Sequence, residues 1–216
     1  MALSYSTLKA RQRNERDTYP EAISLRIHRA LSWLDRAEQC EDEDGRFIFL
    51  WIAFNAAYAN ELGSVSITEG AQFNHFLSRL VELDNDNKIY QIIWKQYTGA
   101  IRVLLDNHYI YQPFWNFHNG RSGAEDWKEQ FSRDKAAAHR ALAANETGKV
   151  LGIIFNRLYT LRNQLVHGGA TWGSKTNRNQ LRDGNQILGG LVPIIIELLM
   201  NNTSVYWGDA CYPVVD

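Results

Sequence analysis

The segment Arg162-Asn163-Gln164-Leu165-Val166-His167 puts an arginine and a histidine within six positions, immediately before Gly168-Gly169. These two side chains are the best suited to metal-free chemistry on a phosphodiester. Arginine is a permanent planar cation with five donors for phosphate oxygens. Histidine moves a proton near neutral pH. Working together, the pair would bind or cleave RNA. The same residues also suit a helix end for structural reasons, since cations there complement the macrodipole and glycine stops the helix.

The segment closes an apolar stretch whose period predicts a helix over about residues 147–167. With Ile154 at zero and ~100° per residue, Leu158, Leu161 and Leu165 fall within ~40° and form a core stripe. Arg162 lies at ~80° and His167 at ~220°, so one helix alone holds them ~140° apart. Phe155, Tyr159, Val166 and Asn163 lie between them. That face is too apolar for plain exposure, and packs either on another helix of the same chain or on a twofold partner. Two antiparallel copies across a dyad would bring the histidine of one chain to the arginine of the other. Asn163, one turn before His167, can bond the imidazole or the substrate.

Composition sets the frame. With 216 residues, 45% hydrophobic and 22% charged, the chain matches an ordinary globular protein of one domain, with 1–18 as an N-terminal segment and 203–216 as a tail. A formal net charge of −1 gives no global pull toward nucleic acid or membrane. Locally the balance differs. Lys149, Arg157, Arg162, Lys175, Arg178 and Arg182 put +6 into the acid-free window between Glu146 and Asp183, leaving −7 elsewhere. Cys40 and Cys211 form neither a disulfide framework nor a zinc motif. The start lacks the apolar run of a secretory signal. The longest membrane candidate, 187–200, contains Gly189, Gly190, Pro193 and Glu197 and is too short to span. The expectation is a cytoplasmic protein with no membrane association.

Helical periodicity dominates the remainder, and the fold class expected is all-α. Ile23, Ile27, Ala30, Leu31 and Leu34 mark a helix over 20–39 behind Pro20. The acidic run 41–44 favours the start of a second helix, apolar nearly all round and ending near Gly63. A third is expected at 69–83, a fourth at 86–107, a polar one at 124–144 and a last one at 176–201. Residues 108–123, with Pro113, Gly120 and Gly123, read as a break, and the tail as an extended surface segment. Within the break, Tyr109, Tyr111, Phe114, Trp115 and Phe117 gather five aromatics. Trp115 could stack on an unpaired base, although such clusters more often pack beneath a loop. His108 and His118 lack a third ligand at metal spacing, so no metal is expected. The basic residues Lys9, Arg11, Arg13 and Arg16 are diluted by Glu15 and Asp17 and read as a solvated helix end.

The segment Leu158-Tyr-Thr-Leu-Arg-Asn-Gln-Leu-Val-His-Gly-Gly169 resembles the motif of the HEPN superfamily, an arginine followed by four to six residues and a histidine. Its form is most similar to the Apea-like branch. Leu50-Trp-Ile-Ala-Phe-Asn-Ala-Ala-Tyr58 also resembles the family's second helix. The resemblance implies a helical bundle that forms a homodimer across the motif helices. In active members it implies a metal-independent endoribonuclease, without cofactor, leaving 2′,3′-cyclic phosphate and 5′-hydroxyl ends. On this chain His167 would transfer the proton, Arg162 would hold the phosphate, and Asn163 would support them. Tyr159, Lys175, Arg178, Arg182 and Trp115 are the expected further RNA contacts. Such proteins act as toxins, in antiviral defence or in RNA processing, some with an antitoxin or regulatory partner. The alternative implied is a silent HEPN module that dimerises or binds RNA, nucleotide or protein. A subgroup carries a tyrosine two residues after the histidine. Here that position is Gly169, which argues against the modification that tyrosine receives.

Overall fold

The structure, a computed structural model, describes residues 3–59, 69–175 and 177–212. Among them are ten α-helices and no strand, so the protein is all-α. The chain divides into two compact units, Met1–Lys88 with Leu188–Asp216, and Ile89–Ile187.

The first unit is built on α1 (Tyr5–Glu15), α2 (Glu21–Glu38), α3 (Glu43–Tyr58) and α4 (Glu69–Leu83). The expected stripe of α2 is buried throughout, with Ile27, Ala30 and Leu31 fully inaccessible. Asp42 caps α3 by accepting the Gly45 N–H at 2.7 Å, and Glu43 and Asp44 occupy its first turn, the positions where carboxylates complement the helix dipole. The helix ends at Tyr58, and the expected end near Gly63 lies outside the described residues. Phe54 stacks on Tyr58 at 5.7 Å and meets Phe73 edge-on at 5.8 Å.

Two parts of this unit are tied in more firmly than their composition announces. The N-terminal segment is a packed helix with Leu8 and Gln12 buried. Arg11 is committed to Glu15 at 2.9 Å and to Asn201 at 2.7 Å, so it is no spare cation. The hydrogen bond from Arg11, joined by that of Tyr19, holds the Glu15 carboxyl below its ordinary range. The tail, expected as an extended surface segment, is pinned by hydrogen bonds to its backbone. Buried Arg26 donates to the carbonyls of Gly208 and Asp209 at 3.1 and 2.8 Å, Arg29 donates to those of Cys211 and Tyr212, and Trp207 is buried.

The second unit holds the motif. The fourth expected helix is interrupted. α5 (Lys88–Gln91) passes through a π-turn at Ile92–Gln96 into α6 (Thr98–Leu105), with the Tyr97 N–H reaching the Ile92 carbonyl at 3.0 Å. The reason is register. Along a regular helix Ile93 and Ile101 would sit ~80° apart, and one residue absorbed in the wide turn brings them to ~20°. Both are fully buried. Residues 108–123 are likewise more ordered than read. A 3-10 turn at His108–Ile110 leads to α7 (Gln112–His118), where Pro113 falls in the first turn, the place a helix tolerates it. α8 (Trp127–Ala143) and α9 (Thr147–Val166) follow.

The final helix, α10 (Arg178–Asn201), gives its first ten residues to the second unit and the rest to the first. By length and apolarity it could cross a membrane, but most of its apolar window is buried, as in a core helix.

Candidate functional site

α9 carries the motif out of the core by degrees. Ile154, Phe155, Leu158 and Leu161 are inaccessible. Arg162, Asn163, Gln164 and Leu165 are half-buried, so the expected core stripe loses its last member to the surface. Val166 is 48% exposed and His167 is exposed. His167 stands at the C-cap, its N–H on the Asn163 carbonyl at 3.0 Å. Gly168 follows at φ +71°, its N–H on the Leu165 carbonyl at 3.2 Å, and the Ala170 N–H returns to Gln164 at 3.2 Å. The left-handed residue thus turns the chain away just beyond the imidazole. A Cβ at Gly168 would meet nothing within 4 Å. Gly168→Ala is therefore expected to cost only the backbone term, about 1 kcal/mol, seen as a melting point lower by about 2–4 °C.

Arg162 donates from Nη1 to Oδ1 of Asn163 at 2.9 Å and has no carboxylate partner among the described residues. The Asn163 side chain therefore engages the arginine rather than the His167 imidazole. The remaining donors of the guanidinium are open to an anion. Along the axis His167 lies ~7.5 Å beyond Arg162, on a face ~140° away. The strip between them is divided: Phe155 is core, while Tyr159 and Val166 are nearly half exposed, Tyr159 at 46%.

Beside the motif lies a cleft of about 580 Å³, lined by Tyr109, Gln112, Trp115, Asn163, Gln164 and Asn177 among others. Its walls are bonded to one another. Gln164 and Trp115 both donate to the Tyr109 carbonyl, at 2.5 and 2.7 Å, and Asn177 donates to Gln164 at 2.7 Å. Trp115 and Asn163, expected in the site, share this cleft. Arg162, His167, Tyr159, Lys175, Arg178 and Arg182 do not line it. The carboxamides come from three separated segments, and no spacing in the sequence announces them. The aromatic cluster packs largely on itself: Phe114 meets Trp115 at 5.0 Å, Trp127 at 5.0 Å and His118 at 4.3 Å.

The basic window is less uniform than its count of charges suggests. Lys149 pairs with Glu146 at 3.1 Å, and Arg182 with buried Asp183 at 3.0 Å. Lys175 is exposed, and Arg178 is half-buried with its Nε enclosed. Arg157 is 5% exposed and no surface charge at all. Its guanidinium lies 4.3 Å from the centre of the Tyr111 ring and 5.4 Å from that of Phe131, and its Nε has no hydrogen-bond partner among the described residues. Burial pulls its pKa down to about 10, with Tyr111 and Asp134 opposing, so it remains a cation at neutral pH. Each ring contact returns roughly 0.5–2 kcal/mol, against an effective penalty of several kcal/mol for an ion taken from water. At ~300° on the helix, within ~60° of the core stripe, its burial was open to the same angular argument.

No family model, no curated protein and no solved structure matches this chain.

Proposed function

We propose that the chain is a metal-independent endoribonuclease of the HEPN type, acting as a symmetric dimer. The observation that carries the reading is a half-buried arginine without a carboxylate partner among the described residues, five positions before an exposed histidine fixed at a glycine-capped helix end. In the reaction the ribose 2′-oxygen attacks the adjacent phosphorus. The P–O2′ bond forms, the P–O5′ bond breaks, and the products are a 2′,3′-cyclic phosphate and a 5′-hydroxyl. A proton leaves the 2′-oxygen and one reaches the departing 5′-oxygen. His167 serves this transfer, and Arg162 neutralises charge building on the phosphoryl oxygens. Asn163, bonded to Arg162, sets the direction of the guanidinium.

The helix angles support the dyad: ~140° apart on one helix, Arg162 and His167 are awkwardly placed for joint work on one phosphate, and two antiparallel copies would bring one chain's histidine to the other's arginine. Tyr159 and Val166 supply the exposed apolar strip for that contact. Changing both to glutamate is expected to leave helicity intact and give a monomer by sedimentation velocity; a dimer that survives would place the interface elsewhere. A cytoplasmic role in toxin–antitoxin, defence or RNA-processing systems accords with this chemistry, with a neutralising protein as a further partner.

Incubating purified protein with single-stranded RNA in EDTA tests the reading. Cyclic-phosphate ends support it. The amide-lined cleft favours one alternative, a silent module that holds RNA without cutting it, and stable RNA binding with no product would select that alternative.

A further inference from the structure

Arg157 faces a second cavity, of about 400 Å³, whose wall includes Tyr111, Asp134, Asn156, Tyr159 and Thr160. This lies within the usual range of small-molecule sites, roughly 300–1,000 Å³. Among its lining residues the only other charged group is Asp134, which is exposed and bound through one oxygen to the Tyr111 hydroxyl at 2.7 Å. The inner charge is therefore positive. No hydrogen bond or ion pair joins Arg157 to any described residue, and its Nε is wholly enclosed without an acceptor. A buried cation served by two ring faces and, at longer range, by the Asp134 carboxylate is incompletely compensated, and an apolar residue of similar volume in such a place is often neutral or stabilising.

We propose that this cavity binds the phosphate group of a small phosphate monoester, held by the guanidinium of Arg157. The planar fork gives two parallel hydrogen bonds to a phosphate edge. The phosphate's remaining oxygens can meet the carboxamide of Asn156, an exposed residue that lines the same cavity. A carboxylate, with two oxygens, would be used up by the guanidinium alone. The space exceeds that of a bare phosphate, and the half-exposed Tyr159 ring borders it as a surface for the organic part. This inference does not depend on ribonuclease activity.

The test is the melting point of the full chain with inorganic phosphate, ribose 5-phosphate, AMP or acetate, at ionic strength matched with chloride. Ribose 5-phosphate or AMP at a hundredfold over Kd is expected to raise the wild-type melting point by about 5 °C or more, saturably, with acetate inert. A larger rise with AMP than with ribose 5-phosphate would identify a nucleotide as the source of the phosphate. Arg162→Ala, outside the cavity, should keep this response. Arg157→Met should lose it and melt higher than wild type in chloride alone, a gain that a merely structural arginine would not give. Should Arg157→Met fail to fold, Arg157→Lys retains the charge without the fork and is expected to weaken binding at least tenfold. The proposal is overturned by a wild type indifferent to every phosphate compound, by equal responses in wild type and Arg157 variants, or by an Arg157 dependence seen with RNA alone.

Discussion

Replacing His167 with alanine is expected to lower RNA cleavage by about 10²–10⁴-fold, and replacing Arg162 with alanine by about 10²–10³-fold, the usual loss for a proton-transfer group and for one stabiliser of developing charge. The fold should survive both changes. His167 is exposed beyond the last helical turn. Arg162 is half-buried and gives up one hydrogen bond, to a neighbouring asparagine, worth about 1 kcal/mol. A melting point within about 2–4 °C of wild type would accompany the loss. Arg162→Lys separates charge from geometry: it keeps a cation without the planar fork, and recovery of only a small part of the rate would show that the fork matters. Wild-type cleavage by either alanine variant would remove its residue from the mechanism.

Much of the architecture was legible because long amphipathic helices write their buried face at fixed spacing. Ile23, Ile27, Ala30, Leu31 and Leu34 on α2, and Ile154, Leu158 and Leu161 on α9, follow that rule and are buried. It failed where local geometry departs from a regular helix. The π-turn at Ile92–Gln96 absorbs a residue, and no pattern keyed to ~3.6 residues can register it. α7, seven residues long, is too short to show a period, and its proline reads as a breaker although it occupies a first turn. The motif itself was visible as an arginine, an asparagine and a histidine. Its surroundings were not: the cleft joins Gln112, Gln164 and Asn177, and the second cavity joins Tyr111, Asp134 and Arg157, across separations set only by tertiary packing. Arg157 contributes to the positive charge between Glu146 and Asp183 yet is buried, since a sum of charges carries no direction. The angular argument used for Arg162 and His167 places it beside the core.

The helix angles of Arg162 and His167 make the dyad testable without a structure of the dimer. If each site takes Arg162 from one chain and His167 from its partner, mixing equal amounts of Arg162→Ala and His167→Ala chains, after dissociation and reassociation, restores activity. Half of the dimers are then mixed, and each mixed dimer has one complete site and one lacking both groups. Activity should return to about a quarter of wild type from two nearly inactive parents. Were both groups drawn from the same chain, every site in a mixed dimer would lack one of them, and mixing would leave activity at the parental level. Adding the Tyr159 and Val166 glutamates to one parent should abolish the recovery, because the chains would no longer meet. Recovery that persists with a monomeric parent would exclude the Tyr159–Val166 strip as the joining surface, while recovery lost with dimerisation would tie the chemistry of His167 to the partner's Arg162.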